Sequence, residues 1–287
     1  MEYTKSIILH VYTKRGIAVT QDKELHYLDN AATTRVCPQA AQAALEAMTE
    51  QYGNPSSRYP LGREAAKRLK DQRSQVAAVL GCAAEEIFFT SCGTEGDNWA
   101  IRKGVEMNRR KGRHIVTTAV EHAAVLETCK DLEQQGYEVT YLKPDKTGHI
   151  AVDDLRAALR PDTALVSMML VNNETGVRFP VEEVAAALKG KPTLLHTDAI
   201  QGFLKVPFTA ASLGADLIAL SGHKVGGPKG IGALYIGGKM KNPRPLLYGG
   251  GQEQNLRPGT EPTAQIAGFA AAVRRRKASM EADIAHM

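Results

Sequence analysis

The chain has 287 residues, of which 43% are hydrophobic, and this is enough for a substantial core in one or two domains. The formal net charge is +5, and the densest basic runs, 109–111 and 274–277, have no aromatic residues interleaved with them. These runs are therefore interpreted as solvated helix faces, and no nucleic-acid-binding function is expected.

Helical and strand-like segments alternate from about residue 38 onward. Helical periodicity covers 38–51, 61–80, 94–109, 123–135, 152–159 and 181–188. Strand patterns cover 86–90, 114–117, 137–142, 164–171, 193–198 and 216–220. Such alternation predicts an α/β fold with a mainly parallel sheet and helices on both faces. Ligands of these folds bind beyond the C-terminal ends of the strands, so polar residues there are the candidates for a site.

The four cysteines are Cys37, Cys82, Cys92 and Cys129, and they form neither a Cys-x-x-Cys pair nor a Cys/His cluster with zinc spacing. We therefore expect free thiols, no bound metal and a reducing, cytoplasmic location. The sequence has no apolar run long enough to span a bilayer, and no membrane partner is expected. The apolar stretch 7–11 is short and lacks a small-residue cleavage site, so no signal peptide is expected.

The most informative group of polar residues lies at two strand ends. Lys224 follows the strand pattern 216–220, beside Ser221 and His223, and Asp198 ends an earlier strand. A lysine nucleophile, a carboxylate and hydroxyl or imidazole phosphate ligands at successive strand ends are what a pyridoxal-phosphate (PLP) enzyme needs. The alternative for residues 221–224 alone is a surface turn whose lysine points to water. The functional interpretation therefore depends on the other motifs.

The segment 90–95 follows a strand pattern and opens a helix. Free backbone N–H groups at such a helix start, together with Ser and Thr hydroxyls, would bind a phosphate, which makes Gly93 and Thr94 candidate ligands. The alternative is simple helix capping by Thr94, and the two roles are compatible.

Four further polar residues are candidates for the site, each with an ordinary structural alternative. His122 could stack on a cofactor ring and transfer protons, or simply hydrogen-bond at a helix start. Asn173 could donate to a cofactor oxygen, or belong to a turn. Gln201 lies just beyond Asp198, an acid that could pair with a cationic ring nitrogen or with a basic side chain. Thr260 could bind phosphate or lie in a glycine-rich surface loop.

Taken in order, these motifs resemble those of class V, fold-type I PLP enzymes, and among them the cysteine desulfurases of the NifS/IscS type. The matching segments are 27–34, 53–57, 90–98, 121–122, 172–176, 196–201, 221–224 and 249–260. They cover nearly everything after residue 26, and a series of this length in family order is highly specific. The resemblance implies a fold-type I transferase, with a mainly parallel seven-stranded sheet sandwiched by helices, and PLP as the cofactor.

The resemblance also implies roles at the ring of the cofactor. Lys224 is expected to carry PLP in a Schiff base and, with His122, to be catalytic. Asp198 is expected to pair with the pyridine nitrogen, and His122 to stack on the ring. Asn173 and Gln201 are expected to contact the side of the ring that bears the phenolic oxygen.

The phosphate end of the cofactor is expected to be held by Gly93, Thr94, Ser221 and His223. By the same resemblance, Thr260 reaches the phosphate of a partner subunit, which implies a homodimer. Family members convert L-cysteine to L-alanine and pass the sulfur, as a persulfide, to iron–sulfur cluster assembly or to other acceptors. L-cysteine and a sulfur-acceptor protein are therefore the expected partners.

The chain departs from the family pattern at both ends. The family's nucleophilic cysteine and the arginine that holds the substrate carboxylate belong to a C-terminal portion for which this sequence has no counterpart. We expect three parts: an N-terminal extension of uncertain structure (1–26), a large PLP-binding domain (27–262), and the start of a truncated small domain (263–287). Cys92, near the expected phosphate loop, is either a thiol activated by a helix N-terminus or a small packed residue.

Three functional hypotheses follow from these departures. The first is a cysteine desulfurase whose sequence here is truncated and whose activity is in question. The second is another class V PLP lyase or aminotransferase, such as a selenocysteine lyase. The third is a PLP-binding dimeric scaffold without turnover.

Overall fold

A computed structural model of the protein describes residues 26–240 and 242–286. The strands are β1 (Ile87–Thr90), β2 (His114–Thr118), β3 (Glu138–Leu142), β4 (Thr163–Ser167), β5 (Leu194–Asp198), β6 (Leu217–Ser221) and β7 (Gly232–Ile236). The helices are α1 (Pro38–Thr49), α2 (Pro60–Leu80), α3 (Gly93–Met107), α4 (Ala123–Gln134), α5 (Val152–Ala158), α6 (Val181–Ala187), α7 (Ala210–Leu213), α8 (Gln252–Asn255) and α9 (Thr263–His286). The chain therefore alternates between strands and helices over most of its described length.

The helix ends follow signals that are local in the sequence. Proline stands in the first turn of both α1 and α2, where its missing N–H has no helical acceptor to lose. Helix α2 ends at Gly81, whose φ of 64° is left-handed and is adopted by glycine without steric cost. The six predicted helices are confirmed to within two residues at each end.

The seven strands form one sheet in the order β1-β7-β6-β5-β4-β2-β3. The neighbours from β6 through β5, β4 and β2 to β3 are parallel, whereas β7 runs antiparallel between β1 and β6. Buried side chains of α3 and α4 pack on one face of the sheet, and those of α2, α6 and α9 on the other. The predicted α/β fold, with a mainly parallel sheet sandwiched by helices, is confirmed.

Two strands differ from the predicted pattern. Strand β7 was not predicted, because it follows a glycine-rich stretch and is defined by pairing with β6 and with β1, which is distant in sequence. The predicted strand 164–171 is too long, since β4 ends at Ser167. The backbone N–H of Met169 donates to the Glu121 carboxylate at 3.0 Å, so the side chain of Glu121 takes a donor that a longer strand would use for pairing.

Helix α9 lies across α1 and α2 and covers one face of the fold. Its Phe269 and Val273 are buried in the same core cluster as Leu220 of β6. The division into a large domain and the start of a small domain at residue 262 stays a prediction. The expected N-terminal extension (1–26) lies outside the described residues, apart from its last residue, His26. Among the described helices, none combines the length and the apolar composition needed to cross a membrane.

Candidate functional site

A cavity of about 490 Å³ opens beyond the C-terminal ends of β1, β2, β4, β5 and β6. Nine residues predicted from the sequence line it: Gly93, Thr94, His122, Asn173, Asp198, Gln201, Ser221, His223 and Lys224. They come from five separate segments of the chain, and parallel strands bring such segments to one edge of the sheet. The cavity is therefore the place where the predicted site residues meet.

Lys224 lies in a 3₁₀ turn, Gly222–Lys224, directly after β6. Its Nζ donates hydrogen bonds to the backbone oxygens of Ala31 and Ala32, the second at 2.9 Å. Burial lowers the pKa of Lys224, and the carboxylates of Asp198 and Asp29 only partly oppose this shift. A lowered pKa increases the fraction of uncharged amine at neutral pH, which is the form that attacks a carbonyl carbon.

Asp198 ends β5 and is 5% exposed at the floor of the cavity. Its Oδ1 accepts a hydrogen bond from the backbone N–H of Ile200 at 2.9 Å. Burial, followed by the neighbouring Asp97, raises the pKa of Asp198 to about 7. A buried carboxylate of this kind keeps its charge at neutral pH only beside a cation, so the site calls for a positively charged ligand atom.

Beneath Asp198 lies a buried polar group that was not predicted from the sequence. His196 Nε2 lies 3.4 Å from Asp97 Oδ1, and His196 Nδ1 is 2.9 Å from Ser167 Oγ. Burial raises the pKa of Asp97 to about 8 and lowers that of His196 to about 4. Burial thus disfavours the charged form of both groups, and a charge on Asp97 in turn disfavours a charge on Asp198. The available sequence signal was that His196 precedes Asp198 by two residues and so faces the same side of β5.

His122 stands at the start of α4 and lines the cavity. Its Nδ1 accepts from the backbone N–H of Ala124 at 3.1 Å, so the neutral ring carries its proton on Nε2. The preceding residue, Glu121, is buried and accepts from Thr118 Oγ1 at 2.8 Å and from the N–H of Met169. Burial raises the pKa of Glu121 to about 8. The hydrogen bonds of Glu121 thus hold in place the turn that carries His122.

Helix α3 begins at Gly93, at the wall of the cavity. A Cβ added at Gly93 would lie 2.0 Å from Ile200 Cδ1, so a side chain at this position would displace Ile200, which also lines the cavity. The alternative that Thr94 caps the helix is wrong, because Cys92 is the N-cap residue and makes no side-chain cap bond. Ser221 and His223 face the same cavity. These four predicted residues can surround an anion.

Gln201 and Asn173 line the cavity, but their amides already have partners within the chain. Gln201 Nε2 donates to Ala31 O at 2.8 Å, and its Oε1 accepts from Lys205 Nζ at 2.7 Å. Asn173 Nδ2 donates to the Glu174 carboxylate at 2.7 Å. Their contact with a cofactor oxygen stays a prediction.

Two further residues have different positions relative to the cavity. Thr260 is exposed and does not line it, and its predicted contact with a partner subunit stays a prediction. Cys92 lines the cavity at the start of α3, whereas Cys37 and Cys129 are buried and Cys82 is half-buried against the core. The reactive role of Cys92 likewise stays a prediction.

Comparison with known proteins agrees with this geometry. The chain is 48% identical over 243 residues to the cysteine desulfurase of Nostoc sp., covering 85% of this chain and 60% of that protein. It is 45% identical to the cysteine desulfurase IscS of Methanosarcina thermophila, covering 94% of this chain and 67% of that protein. The chain thus spans about 60% of the length of several curated relatives that it matches.

Solved structures share the fold at similar levels of identity. A NifS-like protein superposes with a TM-score of 0.85 at 42% identity, covering 89% of this chain and 70% of that one. A structure described as SspA in complex with cysteine gives a TM-score of 0.83 at 38% identity, covering 87% and 72%. One family model, aminotransferase class-V, matches residues 26–287. The chain therefore belongs to the aminotransferase class-V family.

Proposed function

We propose that this chain binds PLP and acts as a cysteine desulfurase, which converts L-cysteine to L-alanine and transfers the sulfur to a thiol. The observation that carries the proposal is the meeting of Lys224, Asp198 and the start of α3 in one cavity. The curated relatives named cysteine desulfurase support the reaction, and the SspA structure with cysteine supports the substrate.

The residues present fit PLP at both of its ends. Asp198 is a buried carboxylate that calls for a cation, and the protonated ring nitrogen of PLP is one. The open turn at Gly93, with Thr94, Ser221 and His223, would hold the phosphate. Lys224 would hold the aldehyde carbon, and His122 would lie against the ring. When bound, PLP supplies an electron sink for the bonds at the α-carbon of an amino acid.

The chain's own residues would then position groups and move protons. Asp198 keeps the ring nitrogen protonated, because the buried carboxylate stabilises the positive charge next to it. Lys224 is a base of lowered pKa and can exchange a proton with the substrate carbon. His122, with its proton on Nε2, can donate it toward the departing sulfur. Overall, L-cysteine and a thiol give L-alanine and a persulfide: a C–S bond breaks, an S–S bond forms, and no external oxidant is needed.

We also propose the partners and location that the family resemblance suggests. A homodimer would bring the exposed Thr260 to the phosphate of the other subunit, and a sulfur-acceptor protein of iron–sulfur cluster assembly would take the persulfide sulfur. A cytoplasmic location is supported by the four free cysteines, which fit a reducing compartment.

Replacing Gly93 with alanine is expected to weaken PLP binding roughly tenfold, since overpacking a tight contact typically costs about 1–3 kcal/mol. The new Cβ would lie 2.0 Å from Ile200 Cδ1, so the side chain of Ile200, which lines the cavity, would have to move. Removing that atom with Ile200→Val should restore part of the affinity. Gly96→Ala is the matched control on the same helix, because its Cβ would make an ordinary contact of 3.4 Å with Ala219. Fluorescence titration measures the dissociation constant of PLP for the wild type, the two variants and the double variant. An unchanged constant in Gly93→Ala would place the phosphate elsewhere.

The direct test of the function is sulfide release from L-cysteine by the purified, PLP-loaded 287-residue chain with a thiol reductant present. We expect release that scales with enzyme and yields one L-alanine per sulfide. If Cys92→Ala abolishes release while PLP stays bound, Cys92 is the sulfur acceptor. If PLP binds but neither sulfide nor alanine forms, the desulfurase proposal is wrong for this chain. The non-catalytic scaffold then becomes the better description, unless selenocysteine is consumed instead.

A further inference from the structure

Glu95 and Arg257, which have no part in the proposed mechanism, form an ion pair beside the turn that begins α3. Arg257 Nε donates to Glu95 Oε1 at 2.9 Å, and Arg257 Nη2 donates to Oε2 at 3.2 Å. Glu95 Oε2 also accepts from the backbone N–H of Ser91 at 2.8 Å. The two side chains are only 23% and 14% exposed. The pair therefore fastens the segment 249–260 to this turn.

The position of Glu95 creates an electrostatic problem. It directly follows Gly93 and Thr94, where the proposed function places a phosphate. Burial alone would raise the pKa of Glu95, but the hydrogen bonds from Arg257 and Ser91 outweigh it and hold the pKa below its ordinary value. Glu95 is therefore ionised at neutral pH. A carboxylate in the first turn of a helix repels an anion bound at the same helix start.

Arg257 supplies the charge that compensates for Glu95. A guanidinium stays protonated under all ordinary conditions, and its two donors engage both carboxylate oxygens. Its place does not depend on Glu95 alone, because Glu253, four residues earlier, is anchored separately. The buried Glu253 carboxylate accepts from Arg73 Nη1 at 2.6 Å and from the N–H of Phe89 at 2.8 Å.

We propose that Arg257 is a positioning residue for the phosphate of PLP: by neutralising Glu95, it leaves the start of α3 free to bind a phosphate monoester. This inference rests on the proposed function, since it takes the PLP phosphate to be the anion held there. It predicts a loss that is specific to the phosphate group of the ligand, and not to its ring.

The test compares PLP with pyridoxal, which has the same ring and aldehyde but no phosphate. In the 287-residue chain, Arg257→Gln should weaken PLP binding roughly tenfold through the uncompensated charge and leave pyridoxal binding unchanged. Adding Glu95→Gln to that variant should restore PLP affinity to within about twofold of the wild type, because the repelling charge is then gone. Fluorescence titration of both ligands measures the dissociation constants.

Arg244→Gln provides a matched control. Arg244 pairs with Glu106 at 2.9 Å in the last turn of the same helix, so this variant removes the same charge at the opposite end. It should leave both dissociation constants unchanged. Equal weakening of PLP and pyridoxal in Arg257→Gln, or no recovery with Glu95→Gln, would show that the pair is only structural. A wild-type chain that binds no PLP would instead overturn the proposed function.

Discussion

Lys224→Ala is expected to abolish the covalent attachment of PLP that borohydride makes permanent in the wild-type chain. The reason is that Lys224 is the lysine whose Nζ reaches the cavity and whose pKa burial lowers. Turnover of L-cysteine should fall by roughly 10²–10⁴-fold even when PLP is added in excess, since a positioned acid–base group contributes about that factor. Mass spectrometry of borohydride-treated protein measures the attachment.

Peptide mapping makes this prediction specific to one lysine. Lys229→Ala is the matched control, because Lys229 is exposed, lies five residues along the chain, and does not line the cavity. It should keep full labelling at Lys224. Labelling of Lys205, the half-buried lysine that holds Gln201, would contradict the assignment. So would a Lys224→Ala protein that still retains PLP after reduction and denaturation.

Asp198→Asn is expected to weaken PLP binding roughly 10–100-fold. Asparagine keeps the shape of the side chain but removes its charge. A hydrogen bond to a charged group contributes about 1.5–3 kcal/mol, which corresponds to the expected loss of affinity. Pyridoxal should lose affinity by the same factor, because the effect acts on the ring and not on the phosphate. This separates Asp198 from Arg257, whose loss should affect PLP alone.

The same variant should change how the PLP-free protein responds to pH. Burial raises the pKa of Asp198 from an ordinary value of 3.8 to about 7, so the folded state binds a proton that the unfolded state releases. The resulting stability is fully present below pH 3.8 and is lost as the pH rises through 7. Between pH 5 and pH 8, the Tm of the wild type should therefore fall further than that of Asp198→Asn. Thermal unfolding at several pH values checks the difference.

Asp216→Asn is the control for the binding measurement. Asp216 is also shielded from solvent and has a raised pKa, but it precedes β6 and so lies at the opposite edge of the sheet. Its carboxylate accepts from the N–H of Leu195 at 2.8 Å and from Lys239 at 3.2 Å. This variant should leave PLP and pyridoxal affinity unchanged. Equal effects of Asp198→Asn and Asp216→Asn on PLP would argue against a role of Asp198 at the ring.

Local patterns were sufficient to predict most of the fold. Six of the nine described helices were predictable, because proline starts, glycine stops and apolar periodicity are properties of short segments. Strand β7 and the early end of β4 were not, since they depend on pairing with β1 and on the carboxylate of Glu121. Neither partner is near in sequence to the element that it shapes.

The features of the site also separate into those that the sequence could predict and those that it could not. Lys224, Asp198 and Gly93 could be placed together from the sequence, because the C-terminal ends of parallel strands meet at one edge. The Asp97–His196 contact and the Arg257–Glu95 pair could not, since they join side chains that are about 100 and about 160 positions apart along the chain. The hydrogen bond from Lys205 to the Gln201 amide could not be predicted either, because the backbone turn between the two residues sets the direction of their side chains.

By itself, the sequence determined most of the helices and strands, that they make an α/β fold, and which strand ends carry the chemical groups of the site. It could do so because periodicity, capping and strand-end position are encoded within a few residues. Only the tertiary structure decided the charge state of Asp198, the fixed tautomer of His122 and the partner that neutralises Glu95. These properties depend on burial and on the distance between remote side chains, which exist only once the chain has folded.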